Sequence, residues 1–410
     1  MHIEALSQFL NTKPLYYKKI DYKRVHRAYA ILKPHIGYPK IVHIVGTNGK
    51  GSTGRMMAYL AWRQGSRSEE VGGRGFSVGH YSSPHILKFN ERIWLDGEDA
   101  SDEVLEAAHQ RLFTILGREM AEALSYFEYT TLLALVVYEK CDLVVLEAGL
   151  GGEFDATNVC DKELSVITPI GIDHQAFLGE SIEEIAATKI RSIQKRALLS
   201  PQPYDEVVAV AKQISEDVGA TLVVAHQDDK RLDIEGTHEG YPYGLMQIAK
   251  KKGWPAYLVD NAMVACQALD ILGIAYDVND LKTLELFGRF YPLTENIRID
   301  VGHNPLAAKA IVASMEPETV LIYNSLDDKD YEAVLHILKP KVKRVEIISI
   351  VSQRATTIEA IETALKRVGI DYRMFDGDMD PKEHYLVFGS FYTVEAFLKR
   401  VQFVGMRAKD

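Results

Sequence analysis

The sequence predicts an α/β protein in which a large, doubly wound parallel sheet is followed by a smaller α/β unit. Three observations carry this reading. Short apolar runs bounded by turn signals alternate with longer helical stretches almost throughout the chain. One of these runs ends in Gly46-Thr-Asn-Gly-Lys-Gly-Ser-Thr53, a glycine-rich turn that opens a helix near Gly51. A second strand–helix series starts near Asn296 and fills about 115 residues, enough for a small domain.

The elements follow in order. Residues 42–45, 143–147 and 164–168 read as buried parallel strands, because their apolar residues are continuous rather than alternating. Residues 76–80 form a further strand, and helical spacing covers 102–124, 129–140 and 182–194. Residues 66–75 are polar and glycine-rich, and read as a solvated loop. In the second series the strands are 297–301, 320–323, 345–350, 372–375 and 385–388, with helices at 305–315 and 357–368. The join falls between Asp277 and Glu295, which gives domains of 1–285 and 286–410.

The chain has 410 residues, 47% of them apolar, so it can bury real cores. Its net charge of −10 excludes a broad nucleic-acid surface and confines positive charge to local sites. The three cysteines, Cys141, Cys160 and Cys266, have no metal-type spacing and suit a reducing compartment. No apolar run approaches the ~18 residues of a membrane span, and residues 1–13 lack a signal-peptide layout, so the expected setting is the cytoplasm.

The glycine-rich turn is the strongest chemical signal. Gly46, Thr47, Asn48, Gly49 and Gly51 bring backbone N–H groups around an anion at a helix N-terminus. Lys50 reaches terminal phosphates, and Ser52 or Thr53 offers a hydroxyl to Mg²⁺. The spacing is a variant of the common nucleotide loop: the first two glycines are closer, and Gly51 separates Lys50 from Ser52. Glu147 ends an apolar strand, the place where open α/β sheets bind ligands, and suits Mg²⁺ beside a phosphate loop. Asp173-His174 lies at another strand end, and on chemistry alone His174 reads as a turn residue, since Mg²⁺ prefers oxygen. Lys189, on a predicted helix, reads as solvated. The stretch His80-Tyr-Ser-Ser-Pro-His85, continuing to Asn90-Glu-Arg92, suggests a loop for a flat polar ligand. Asn304 and Pro305 read as a helix N-cap and first turn, which leaves Asp300 and His303 unexplained.

Together these residues resemble the folylpolyglutamate synthase and dihydrofolate synthase family, relatives of the Mur ligases. The matches are Gly46 to Ser52, Ser82-Ser-Pro-His85, Asn90-Glu-Arg92, Phe127-Glu128, Glu147-Ala-Gly-Leu-Gly-Gly152, Asp155-Ala-Thr-Asn158, Asp173-His174, Asn261-Ala262, Gly288-Arg289, Asp300 to Pro305 and Gly389-Ser390, all in family order. The resemblance implies a Mur-ligase-like P-loop ATPase domain with a Rossmann-like C-terminal domain. It implies an ATP-dependent amide ligase, most similar to the bifunctional bacterial enzymes, that adds L-glutamate to a pterin acid. It implies ATP and two Mg²⁺ ions, with a monovalent cation as a further candidate cofactor. Gly46 to Thr53 would hold phosphates, Ser52 and Glu147 one metal, and His174 a second. Lys189 matches the family's carbamylated lysine, and Lys50, His174 and Lys189 are the implied catalytic groups. Asn261, Arg289, Asp300 and His303 match ATP contacts. Ser82, Ser83, Pro84, His85, Asn90, Arg92 and Phe127 match the pterin site. A monomer is implied, with no nucleic-acid or membrane partner.

Four features depart from the family pattern. Thr188-Lys189-Ile190-Arg191 replaces Glu-Lys-Ala-Gly, 66–75 looks like an insertion, the stretch from Lys189 to Asn261 is short, and Asp-Val-Gly replaces Asp-Gly-Ala at 300–302. The competing readings are a Mur-type ligase acting on another carboxylate, and a nucleotide-dependent binding protein. The Mur-type reading is weakened because only about 40 residues precede the loop.

Overall fold

The computed structural model describes residues 3–14, 21–70, 75–225 and 241–401. It has two compact units: Met1–Ile248 with Asp260–Leu284, and Ala249–Val259 with Glu285–Asp410.

Among its described residues the first unit is built on eight strands: β1 (Lys40–Val45), β2 (Val78–Tyr81), β3 (Ile93–Leu95), β4 (Glu98–Asp99), β5 (Leu143–Glu147), β6 (Leu164–Ile167), β7 (Arg196–Leu199) and β8 (Thr221–Val224). Their order is β4-β3-β2-β5-β1-β6-β7-β8. All pairings from β2 across to β8 are parallel, while β3 and β4 add antiparallel at one edge. The central strands are buried along their length because helices cover both faces, which is why their apolar runs are continuous. β1 lies in the middle, where the strand order reverses direction. The crevice beyond its carboxyl end is the expected ligand site of such a sheet.

Capping sets several helix limits. Helix Tyr126–Val137 starts at Tyr126 rather than 129, because Ser125 and Glu128 cap each other reciprocally. The same device, with Ser181 and Glu184, starts helix Ile182–Ile190. Helix Asp102–Ala123 opens on the Ser101 cap and is interrupted at Gly117.

One expectation fails. The helix that opens at the glycine-rich turn runs from Lys50 to Glu70, so the first half of the expected 66–75 loop is helical; 71–74 lie outside the described residues. The reason is tertiary. Arg67 donates to the buried Asp280 carboxylate at 2.7 Å, and Arg63 approaches it at 3.5 Å. Tyr59 bonds Thr283 at 2.9 Å. The segment carrying Asp280, Val278–Lys282, is more than 200 residues away in sequence, so 66–70 looked solvated.

The second unit adds β9 (Tyr291–Pro292), β10 (Ile297–Ile299), β11 (Thr319–Tyr323), β12 (Val342–Ile347), β13 (Tyr372–Met374) and β14 (Tyr385–Phe388), in the order β13-β12-β11-β14-β10-β9. Only β9 is antiparallel among these pairings. Its core packs Leu321, Tyr323, Val345, Ile347, Leu386 and Phe388 under helices Pro305–Val312, Tyr331–Leu338 and Ile358–Val368. No helix among the described residues is long and apolar enough to cross a membrane.

Candidate active site

The turn after β1 forms around backbone. Gly46 and Gly49 have φ of 147° and 85°, and a Cβ on Gly49 would lie 2.8 Å from the Asn261 side chain. The Thr47 and Asn48 amides donate to the Pro169 carbonyl at 2.9 and 3.1 Å, and the Gly171 amide donates to the Thr47 hydroxyl at 3.1 Å. The turn is thereby held against the segment that follows β6. Lys50 curls back over it, its Nζ donating to the Gly46 and Thr47 carbonyls at 3.2 Å each. Ser52 is buried and accepts a hydrogen bond from Asn261 Nδ2 at 2.7 Å. Thr53 is wholly buried, and its hydroxyl has no partner among the described residues. Of the two hydroxyls, Ser52 is the one joined to Asn261.

Glu147 ends β5 directly beside β1, level with Ile44, and is buried. Its Oε1 lies 4.0 Å from Lys50 Nζ. Lys189 is not solvated as its helical position suggested. It is 4% exposed, and its Nζ donates to the Gly46 carbonyl at 3.1 Å. Both lysines therefore meet one carbonyl of the turn. His174 sits in a left-handed turn (φ 54°, ψ 37°) at the N-cap position of the short helix Gln175–Leu178, without a side-chain cap. Its amide donates to Asp173 Oδ1 at 2.8 Å, and its Nε2 is 3.9 Å from the same oxygen.

The second segment singled out in sequence forms its own cluster. Arg92 Nε donates to His85 Nδ1 at 2.8 Å and its guanidinium stacks over Tyr126 at 5.2 Å. His85 is neutral at pH 7, because burial and then the Arg92 charge push its pKa down to about 4. The proton assignment follows: Nδ1 accepts, so Nε2 carries the hydrogen. Asn90 donates to the Ala100 carbonyl and to Asp102, each at 2.8 Å, and so clamps the turn from within. The Ser82 amide donates to the Arg92 carbonyl at 2.9 Å, and the Ser83–Pro84 bond is cis. Phe127 stands 6.0 Å from the Tyr81 ring.

No protein-family model matches the chain. A dihydrofolate synthase/folylpolyglutamate synthase from Haemophilus influenzae is 30% identical over 404 residues, covering 88% of this chain and 88% of that protein. The chain belongs to the dihydrofolate synthase/folylpolyglutamate synthase family. The Helicobacter pylori folylpolyglutamate synthetase structure is 37% identical with a TM-score of 0.75, covering 97% of this chain and 98% of that one. The E. coli FolC structure in complex with DHPP and ADP is 27% identical with a TM-score of 0.80, covering 99% of each chain. The α/β architecture predicted from sequence is the architecture of these family structures.

Asp300 is buried in the second unit with both oxygens engaged. Gly302 donates to Oδ1 at 2.7 Å, and Phe290 and Tyr257 donate to Oδ2 at 2.8 and 3.0 Å. Burial pushes its pKa up, opposed by these donors and Arg289. Arg289 stacks over Phe391 at 5.3 Å, and His303 Nδ1 lies 3.2 Å from the Val301 carbonyl. Asn304 caps helix Pro305–Val312, as its sequence position suggested. Sequence reasoning missed Tyr257, and also Asn324, Ser325, Lys329 and Thr393, buried polar residues that gather with Ser390 at the ends of β11 and β14. Ser390 caps helix Phe391–Arg400, and the Thr393 hydroxyl donates to the Asn324 carbonyl at 3.0 Å. The available signal was the mostly polar stretch Asn324 to Lys329, broken only by Leu326, directly after an apolar strand.

Proposed function

We propose that this chain joins L-glutamate to dihydropteroate, to a folate, or to both, as a cytoplasmic monomer. It is an ATP-dependent ligase of its family. The observation that carries the site assignment is the convergence of Lys50 and Lys189 on the Gly46 carbonyl, with Lys50 4.0 Å from the buried Glu147.

The chemistry follows from what these groups can do. A carboxylate is a poor acyl donor until phosphorylation turns its oxygen into a leaving group. ATP then yields ADP and an acyl phosphate, which the amine of glutamate attacks, releasing phosphate. Lys50 and the amides of the turn neutralise charge on the phosphoryl group in transit. Asn261 holds the Ser52 hydroxyl, and Arg289, Asp300 and His303 act on the nucleotide. Ser82, Ser83, Pro84, His85, Asn90, Arg92 and Phe127 receive the pterin acid, with Arg92 oriented by His85 and Tyr126.

The residues fit a divalent ion. Ser52 and Glu147 offer hard oxygen donors, and no group of three or more His, Cys, Asp or Glu among the described residues could hold a metal alone. That suits Mg²⁺, which keeps waters and shares substrate phosphates. The ion would supply charge neutralisation at the phosphates. His174, with Lys189 once carbamylated, would hold a second ion. No residue is assigned to a monovalent cation.

An ADP-release assay tests the reading. Turnover is expected with dihydropteroate or tetrahydrofolate only when glutamate is also present. ADP release at the same rate without either co-substrate would sink it.

A further inference from the structure

The residues after Glu147 run between two groups that have roles in the proposed function. Gly149 packs on the Phe127 ring, 2.6 Å from where its Cβ would be, and Gly152 packs so tightly on the Lys189 carbonyl that any Cβ would overlap it. The Glu153 amide donates to the Thr188 carbonyl at 2.9 Å. Moving this loop would move Phe127 on one side and Lys189 on the other.

One carboxylate organises the loop. Asp155 accepts from the Leu150 and Thr157 amides at 2.9 Å each, and from the Thr157 hydroxyl at 2.5 Å. Behind Thr157 stands His43, fully buried in β1 three residues before Gly46, with Nε2 2.8 Å from the same hydroxyl. The Thr157 hydroxyl has one proton, which goes to Asp155. It therefore accepts at the His43 contact, and Nε2 carries the hydrogen. Nδ1 is then a bare acceptor. It is buried without a partner among the described residues, and an unmet acceptor is tolerated better than an unmet donor. A doubly protonated ring would place charge in the same buried region as Lys162, which is itself wholly buried with its amine on Asn158.

We infer that His43 is a positioning residue: a neutral imidazole whose Nε2–H, acting through Thr157 and Asp155, fixes the loop after Glu147 and thereby the placement of Glu147, Phe127 and Lys189. It touches no reacting atom. The inference rests on the roles proposed above for Glu147 and Lys189.

Two measurements on the full-length enzyme test it. In ¹⁵N-histidine NMR of the free protein, the His43 ring, identified by its loss in His43→Gln, should show the neutral Nε2–H pattern at pH 7. An Nδ1–H or imidazolium pattern overturns the inference, whatever Glu147 does. In kinetics, Thr157→Val and His43→Leu should each lower kcat, and raise the Mg²⁺ needed for half-maximal rate, by ~10-fold or more. His43→Gln keeps an N–H in nearly the same place and should recover most of both. If Gln and Leu behave alike, or all three variants match wild type, the positioning role is wrong. If His43→Leu fails to fold, Thr157→Val carries the kinetic test. Glu147→Gln separates the two readings: unchanged Mg²⁺ dependence there removes the metal assignment, while the tautomer and the Gln-versus-Leu comparison still judge His43.

Discussion

Lys189 Nζ donates to the Gly46 carbonyl at 3.1 Å from a position only 4% exposed. A lysine buried against the glycine-rich turn has left the solvated helix face for a reason. Carbamylation would convert its amine to a carboxylate while keeping one N–H, so the Gly46 contact would survive the modification. The expected outcome is a ¹³C carbamate signal from enzyme equilibrated with ¹³C-bicarbonate, absent in Lys189→Ala. That variant should lose ~100-fold or more in kcat, with partial recovery in a short-chain carboxylic acid. Unchanged activity and Mg²⁺ dependence in Lys189→Ala would return this residue to a packing role.

Lys50 makes its contacts with the Gly46 and Thr47 carbonyls, while the turn itself is held by the Thr47 and Asn48 amides donating to the Pro169 carbonyl and the Gly171 amide donating to the Thr47 hydroxyl. Lys50→Ala should therefore fold normally while losing about 3 kcal/mol of transition-state stabilisation, some 10²-fold in kcat. Steady-state ADP release alongside a thermal melt checks both halves. Near-normal turnover would refute the assignment.

The Arg67–Asp280 pair changes what the glycine-rich insertion is for. Asp280 is 5% exposed and takes its strongest donor from Arg67 at 2.7 Å. Removing that donor leaves a buried carboxylate under-satisfied, at about 1 kcal/mol after allowing for the half-exposed arginine. Arg67→Ala should lower the urea midpoint accordingly, and replacing the whole of 66–74 by a short turn should do the same. A deletion as stable as wild type would show that the pair contributes nothing.

Glu383 gives a pH signature to the second unit. Hydrogen bonds from Arg344, at 2.5 and 2.8 Å, and from Lys343, at 2.7 Å, hold its carboxyl down to about 2. Its folded pKa is below its unfolded value of 4.5. The stabilisation is therefore fully present above that value and is lost as pH falls towards 2. The difference in unfolding free energy between wild type and Glu383→Gln should shrink across that window. A difference independent of pH would mean that the ion pairs do not act on Glu383 as described.

The glycine-rich turn, the Glu147 strand end and the Asp173-His174 turn were legible because each is a local pattern: an apolar run followed by residues whose chemistry shows in a few positions. Helix limits slipped where caps decided them, as at Ser125, whose partner Glu128 lies within one turn but inside a run with no other boundary signal. The burial of Lys189 and the helical course of 66–70 were not legible. Each depends on a partner far along the chain, Gly46 in one case and Asp280 in the other.

By itself the sequence determined the α/β class, the strand that presents the glycine-rich turn, and the family resemblance, since periodicity and motif spacing are local and survive without coordinates. Only the tertiary structure decided which polar residues are buried and what they face. It set Lys50 and Lys189 on one carbonyl, tied Ser52 to Asn261, and linked His43 to Asp155 through Thr157. The physical reason is that a buried polar group must find its partner in space, and strand order, not sequence distance, determines which partner it meets.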